Sequence, residues 1–243
     1  MGEWIKSIMP NVAKYSSKFW DSVGATFQMF AIAGVIAFIV GLLFGIVLVV
    51  TRKGGVCQNA VVYRIVDIIT NFFRSIPFLI LLIFLIPLTR RVVGTAIGVK
   101  GAIVPLVFGT VPFFTRQVEA ALHNVDEGKI EAARSMGSGP VGIIFRVYLH
   151  EAVPELARVT TITAISLIGF TTMAGAVGAG GIGSFAIDYG QSQNHQDIVV
   201  VCVILLVLIT FIFQGIGSFV AKKTTNRSLI KSIKSNSNHK KEK

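Results

Sequence analysis

Three long stretches of the chain, residues 22–51, 159–187 and 198–221, carry no charged side chain. Each exceeds the roughly 20 apolar residues that take an α-helix across a bilayer at about 1.5 Å rise per residue. The composition agrees: 53% of the 243 residues are hydrophobic and 14% charged, against about 25% charged in an average soluble domain. With so few polar side chains a single soluble core of this size could not cover its own surface. The apolar excess also excludes disorder, and Cys57 and Cys202, far apart and in no CxxC pair, exclude a disulfide scaffold.

Two further runs, 75–89 and 101–115, are uncharged but too short to cross alone. They reach spanning length only by running past Arg74 toward Ile65 and past Lys100, Arg116 or both. Charged side chains near span ends can extend along their alkyl stems to the interface, where they cost far less than at the centre. Arg116 and Glu119 stand at i, i+3 and are expected to pair. The fold expected is therefore an all-α integral membrane protein with five spans, about 24–50, 65–89, 95–118, 156–178 and 198–221.

An odd number of spans puts the termini on opposite sides. With the C-terminus inside, the inner segments hold Arg52, Lys53, Arg64, Arg116, Lys129, Arg134, Arg146 and Arg158. The tail adds Lys222, Lys223, Arg227, Lys231, Lys234, Lys240, Lys241 and Lys243. Outside lie only Lys6, Lys14, Lys18, Arg90, Arg91 and Lys100, with Arg74 left inside a span. Sixteen basic residues against six orient the chain with its N-terminus outside. The net charge of +11 is thereby accounted for by topology, and no nucleic-acid partner is expected.

Residues 1–20 lack the continuous apolar core and cleavage site of a secretory leader. Trp4, Ile8, Val12, Tyr15 and Phe19 recur at helical spacing, interrupted by Pro10, so residues 1–23 read either as an amphipathic lead on the outer leaflet or as a loosely ordered one. Residues 223–243, rich in Lys, Ser and Asn, read as a solvated basic tail. Searches for chemistry return little. There is no GxxxxGK[ST] phosphate loop and no GxSxG elbow, and His150-Glu151 begins an HExxH that Pro154 ends. The four histidines have no metal-ligand spacing. Gly178-Ala-Gly180-Gly-Ile-Gly183 satisfies G-x-G-x-x-G, but it follows a hydrophobic helix rather than a strand, so a flexible outer glycine turn is expected instead of a dinucleotide site. The chain is expected to be no enzyme and to hold no cofactor or metal.

Inside the spans, Pro77, Pro87, Pro105 and Pro112 crowd the second and third, consistent with helices that bend or break. Gly41-x-x-x-Gly45 and Gly94-x-x-x-Gly98 are small-xxx-small patterns for close helix packing and oligomerisation. The fourth span carries Thr160, Thr161, Thr163, Ser166, Thr171 and Thr172, whose hydroxyls can bond back to the helix or line a polar passage. Ser166, Thr171, Thr172 and Met173 are the candidates for a substrate pathway.

Residues 123–155 form the only long polar segment away from a terminus. Asp126-Glu127-Gly128 opens a helix, Ala132, Ala133 and Met136 continue it, and Gly137, Gly139 and Pro140 stop it before a second amphipathic stretch, 141–149. The result is two short helices at the membrane face. Within it, Glu131-Ala132-Ala133, three residues, Gly137, nine residues, then Val147-Tyr148-Leu149 resembles the cytoplasmic EAA loop of bacterial ABC importer permeases. Val147 replaces the family's Ile, and His150 its Pro. Asn71-Phe-Phe-Arg-Ser-Ile-Pro-Phe78, Ile86-Pro-Leu-Thr-Arg90, Gly94-Thr-Ala-Ile-Gly98 and Gly175-Ala-Val-Gly-Ala-Gly-Gly-Ile-Gly183 resemble the methionine-import members, and the likeness runs over about residues 20–222.

That resemblance implies a homodimeric permease in a bacterial cell membrane, seated among lipids on a dimer of separate ATPase subunits. ATP would be bound there, and an extracytoplasmic binding protein would deliver substrate. The implied cargo is methionine, with another amino acid or a small peptide as the alternative. A self-contained channel or secondary transporter is the reading from another class, and the absence of two related halves argues against it. Coupling to the ATPase falls to the 123–155 loop, with Glu131 near the positive helix end or facing a basic partner residue, Ala132 and Ala133 permitting close approach, and Gly137 ending the helix. The charge asymmetry makes a direct prediction. In whole cells, a cysteine placed at Ser235 should be shielded from an impermeant thiol reagent and one at Ser192 labelled. Reversed labelling would overturn the orientation.

Overall fold

The structure, a computed structural model, describes residues 9–239, with side chains described as far as Thr225. The expectations for Trp4 and Ile8, and for the end of the basic tail, lie outside the described residues. Among those described there is no β-strand. The chain runs through α1 (Pro10–Lys14), α2 (Ser16–Thr51), α3 (Ala60–Ser75), α4 (Phe78–Phe84), α5 (Ile86–Val93) and α6 (Gly98–His123). It continues through α7 (Glu127–Ser135), α8 (Pro140–Ile143), α9 (Leu149–Glu151), α10 (Val153–Ala174), α11 (Gly181–Phe185) and α12 (Gln196–His239). Wide π-type turns join α8 to α9, α10 toward α11, and α11 toward α12.

Four helical stretches, Ser16–Thr51, Gly98–His123, Val153–Ala179 and Gln196–Thr225, are long and apolar enough to cross a membrane. A fifth crossing exists only if α3 and α4 are taken together, and they meet at 103°. The region 65–89 thus belongs to three helical pieces rather than to one. Pro77 forces its predecessor into extended backbone: Ile76 has φ −91° and ψ 123°. Pro87 then sits in the first turn of α5, which ends on Gly94 in the left-handed region.

The longest helix, α2, organises the rest. Its Val49 joins the cluster around Phe114, Val118 and Leu122 of α6. Met29 and Ala33 pack with Phe78 and Leu82 of α4 and Leu167 of α10. Phe19 and Val23 pack with Phe185 of α11 and Ile198 and Cys202 of α12. The α2–α6 contact is close because Gly41 and Gly45 face it. A Cβ on Gly41 would lie 2.8 Å from Phe114 Cδ1, and one on Gly45 2.5 Å from Val118 Cγ1. This pattern thus serves packing within one chain. Gly94 and Gly98 do not: neither has an atom within 4 Å of a built Cβ, and both are left-handed, Gly94 just after α5 and Gly98 as the first residue of α6.

The glycine run at the end of α10, expected as a flexible outer turn, is a fold-back in which Gly178 is exposed and residues 181–183 are buried. Gly178, Gly180 and Gly181 all have φ between 80° and 90°, which lets α11 return against α10. There a Cβ on Gly183 would stand 2.1 Å from the Thr172 carbonyl oxygen. Ile182 and Phe185 are each 1% exposed. The Ile182 N–H donates to Thr26 Oγ1 of α2 at 2.9 Å, and Ser184 Oγ donates to the Gly175 carbonyl at 2.6 Å.

Because Val118 is fully buried, Gly45→Leu would overpack the α2–α6 seam at a cost of about 1–3 kcal/mol. Thermal unfolding of the detergent-purified protein should show a lowered midpoint. Gly24→Ala, with nothing within 4 Å, should leave it in place. An unmoved midpoint in Gly45→Leu would exclude this seam.

Candidate functional site

Two regions matter: the polar segment between α6 and α10, and the exposed face of α10. In the first, Asp126 caps α7 by accepting the Gly128 N–H at 2.8 Å. The helix closes on Gly137, φ 77°, with Ser138 N–H bonded to the Ala133 carbonyl at 3.0 Å. Pro140 starts α8, and the chain continues with little interruption to Glu151.

The inner side of this segment is welded to the bundle. Ile130, Ala133, Ile143 and Tyr148 are buried with Val118, Leu122 and Val125. Lys129 Nζ pairs with Glu151 at 2.5 Å, and Arg52 reaches Glu127 at 3.4 Å. Two of the expected contact residues are therefore reassigned. Ala133, 5% exposed, packs inward against the bundle. Glu131 is not at the helix start: α7 begins at Glu127, and the dipole effect fades within one turn. Glu131, Ala132 and Gly137 are exposed.

What sequence reasoning missed is apolar. Met136, Val141 and Phe145 are 79%, 68% and 64% exposed. Val141 and Phe145 lie at i, i+4, with Met136 across the Gly137 turn. Large apolar side chains in an otherwise polar segment were the available signal.

Next to this segment, Arg116 ties two helices together. Its Nη1 donates to Glu119 at 2.5 Å, as the i, i+3 spacing implied, and its Nη2 donates to Asn71 Oδ1 at 2.9 Å and to the Asp67 carboxylate. The last two belong to α3, so the guanidinium clamps α3 to α6.

On α10, the hydroxyls bond back to their own helix. Ser166 Oγ donates to the Ile162 carbonyl at 3.0 Å, and Thr171 and Thr172 both donate to that of Ile168, at 2.7 and 3.0 Å. The four pathway candidates are not on one face. Thr171 is 1% exposed and points into the chain's own interior, which removes it from any passage. Thr172 is half-buried, its carbonyl against Gly183. Ser166 and Met173, seven residues apart, do share a face, with Ile162 and the exposed Gly169 between and beside them. Gly169 is the member the sequence reading passed over.

One cleft of the chain is unsuited to a zwitterion. The cleft of about 380 Å³ among α2, α6 and α10 is lined by Phe30, Phe38, Phe114 and Leu167, with threonine hydroxyls as its only polar side chains. Among the described residues no three His, Cys, Asp or Glu side chains group as a metal site.

Comparison with known proteins gives this arrangement a context. Residues 37–226 match the family model of the binding-protein-dependent transport system inner membrane component. The probable D-methionine transport system permease protein MetI of Vibrio cholerae is 41% identical over 202 residues, 83% of this chain and 90% of that protein. The methionine import system permease protein MetP of Bacillus subtilis is 45% identical over 173 residues, 71% of this chain and 78% of that one. Among solved structures, a chain of the MetNI methionine ABC transporter in an inward-facing conformation superposes with a TM-score of 0.84 at 42% identity, covering 87% of this chain and 98% of the other. An amino acid ABC transporter chain at 16% identity and TM-score 0.73 shares the fold.

The Gly137 turn yields a prediction independent of any activity. An alanine there must adopt a left-handed conformation costing about 1–2 kcal/mol. Gly137→Ala should accelerate hydrogen exchange at the Ser138 amide roughly 5- to 30-fold. Gly139→Ala, at φ −70° with open space around it, should not. Equal exchange in the two variants would reject the turn.

Proposed function

The chain belongs to the family of binding-protein-dependent transport system inner membrane components, and from that membership we propose that it forms, as a homodimer, the path by which methionine enters the cell. It is a permease subunit of an ABC transporter and not itself the ATPase. Membership sets aside the self-contained channel. What carries the methionine reading is the likeness to methionine permeases along nearly their whole length. Five crossings, an outside N-terminus, an ATPase dimer below and an extracytoplasmic binding protein above complete the proposal, supported by the 16-to-6 division of basic residues.

A methionine zwitterion needs polar partners when it leaves water, and the apolar cleft inside one chain supplies none for its charges. In the proposed homodimer the path lies between the two copies. The stripe of Ser166, Gly169 and Met173 is the face of α10 free to line it. Coupling falls to the 123–155 segment, but through a contact face revised to Glu131, Ala132, Met136, Gly137, Val141 and Phe145. Their apolar exposure beside a rigidly packed inner side fits a groove on a partner subunit.

One experiment tests both assignments: labelled methionine uptake and ATP hydrolysis by the reconstituted permease–ATPase complex, with other amino acids as competitors. Phe145→Asp should insert in the membrane but lose the ATPase on purification, or hydrolyse without transport. Ser166→Leu should keep the ATPase and its hydrolysis while uptake falls at least tenfold, about 1.4 kcal/mol of barrier. Wild-type coupling in Phe145→Asp would overturn the docking face, and normal uptake in Ser166→Leu the pathway face. Stronger competition by another amino acid would replace methionine as the cargo.

A further inference from the structure

Where α10 and α12 cross, they touch through Gly217: a Cβ there would lie 1.8 Å from Thr161 Oγ1. Toward the basic end of α12 the helices part around a cleft of about 540 Å³, bounded by Arg158 and Thr161 on one side and Ser218, Lys222 and Thr225 on the other. We propose that this cleft holds the headgroup of an anionic phospholipid.

Two observations point to that ligand. The first is charge. Arg158 and Lys222 line one cleft, and the single carboxylate at hand, Glu155, occupies one side of the guanidinium at 3.1 Å. Lys222 makes no ion pair among the described residues, and Ser218 makes no hydrogen bond. A guanidinium edge, an ammonium and a free hydroxyl are the donors a phosphodiester takes.

The second is the face of α12 that leads away from the cleft. Ile204, Leu208, Phe211, Gly215, Ser218 and Lys222 follow one another at alternating spacings of four and three, and all are exposed. The face reads as apolar, then small, then hydroxyl, then cationic, which is the polarity gradient of a phospholipid from acyl tail to phosphate. Ser218 lies one turn, about 6 Å, deeper than Lys222, at the level of the ester oxygens. Gly215 has open space beside it, so an acyl chain can lie against the helix there. A second copy of the chain is the poorer occupant, because a twofold contact at this face would bring like charges together. Basic pockets between membrane helices on the cytoplasmic side are suited to anionic headgroups. The inference rests on the proposed orientation only for naming the leaflet, which is the inner one.

The test uses the permease–ATPase complex in lipid nanodiscs, with phosphatidylglycerol and phosphatidylcholine probes carrying the same photoactivatable acyl chain. Phosphatidylglycerol should label the 208–218 segment roughly fivefold or more over phosphatidylcholine. Arg158→Gln with Lys222→Gln should abolish that preference while the ATPase still co-purifies, and Lys222→Arg should retain it. If the double variant fails to assemble, Lys222→Gln alone should still reduce the preference. Millimolar inorganic phosphate should leave labelling unchanged. Equal labelling by the two probes overturns the site. Loss of labelling to phosphate assigns it to a soluble anion, and a disulfide between two Ser218→Cys copies assigns it to a subunit contact; either overturns the lipid. A failed site with correct Ser192 and Ser235 accessibility leaves the orientation standing.

Discussion

Hydrocarbon offers a backbone no hydrogen-bond partner, so every break in a membrane helix has to be repaired from within the protein. Two of the breaks among the described residues show how the repair is made. At residues 75–77 the residue with no N–H to satisfy is Pro77, while its carbonyl accepts the Leu81 N–H at 2.9 Å and Ser75 Oγ covers the Asn71 carbonyl at 2.8 Å. At residues 175–183 the repair comes from elsewhere in the sequence. Thr26, one hundred and fifty-six positions away, accepts the Ile182 N–H, and Ser184 donates back to Gly175. The fold-back exists because a hydroxyl on α2 waits for it.

This makes α2 more than a membrane anchor. It contributes to all three packed clusters, at Phe19 and Val23, at Met29 and Ala33, and at Val49. Its glycines at 41 and 45 let α6 approach until carbonyl oxygens lie 3.0–3.3 Å from where a Cβ would stand. Between helices in lipid there is little hydrophobic driving force, and such close packing supplies the cohesion instead. A helix that the sequence marks only as long and apolar is the part on which the others are assembled.

The legible part of the sequence was what charge and hydropathy encode directly: helical class, the long uncharged spans, the Arg116–Glu119 pair and the two-helix segment with its cap at Asp126. The illegible part was long-range. Pro77 announced a break without its 103° angle; on its far side Phe78 stacks on Phe170 at 4.5 Å and lies against Gly109, remote contacts that local sequence does not show. The 178–183 glycines looked like a loose turn because their partner, Thr26, is remote. Arg116 showed its neighbour Glu119 but not Asp67 or Asn71. In the 123–155 segment the pattern located the helix but not its faces: Ala132 and Ala133 are adjacent yet differ in burial, one exposed and one at 5%. Small size alone cannot say which of two alanines meets a partner.

The same inward packing explains how a shallow contact could be mechanically useful. A side chain such as Phe145 is 64% exposed, but Ile143 and Tyr148 flanking it are 2% and 3% exposed, seated against Val118 and Leu122 of α6 and Val49 of α2. Packed interiors are nearly incompressible, so a displacement imposed on the exposed side is not absorbed within the segment. It passes into the ends of α2 and α6 that carry Val49 and Val118. From α6 the Arg116 clamp carries it to Asp67 and Asn71 of α3, the helix that leads into the break at Pro77. Tight packing transmits along the α2–α6 seam, and the bend at residues 75–77 is where it can be taken up as rotation. Were α3 and α4 one straight helix, the packed seam would have no neighbouring bend in which to take up movement.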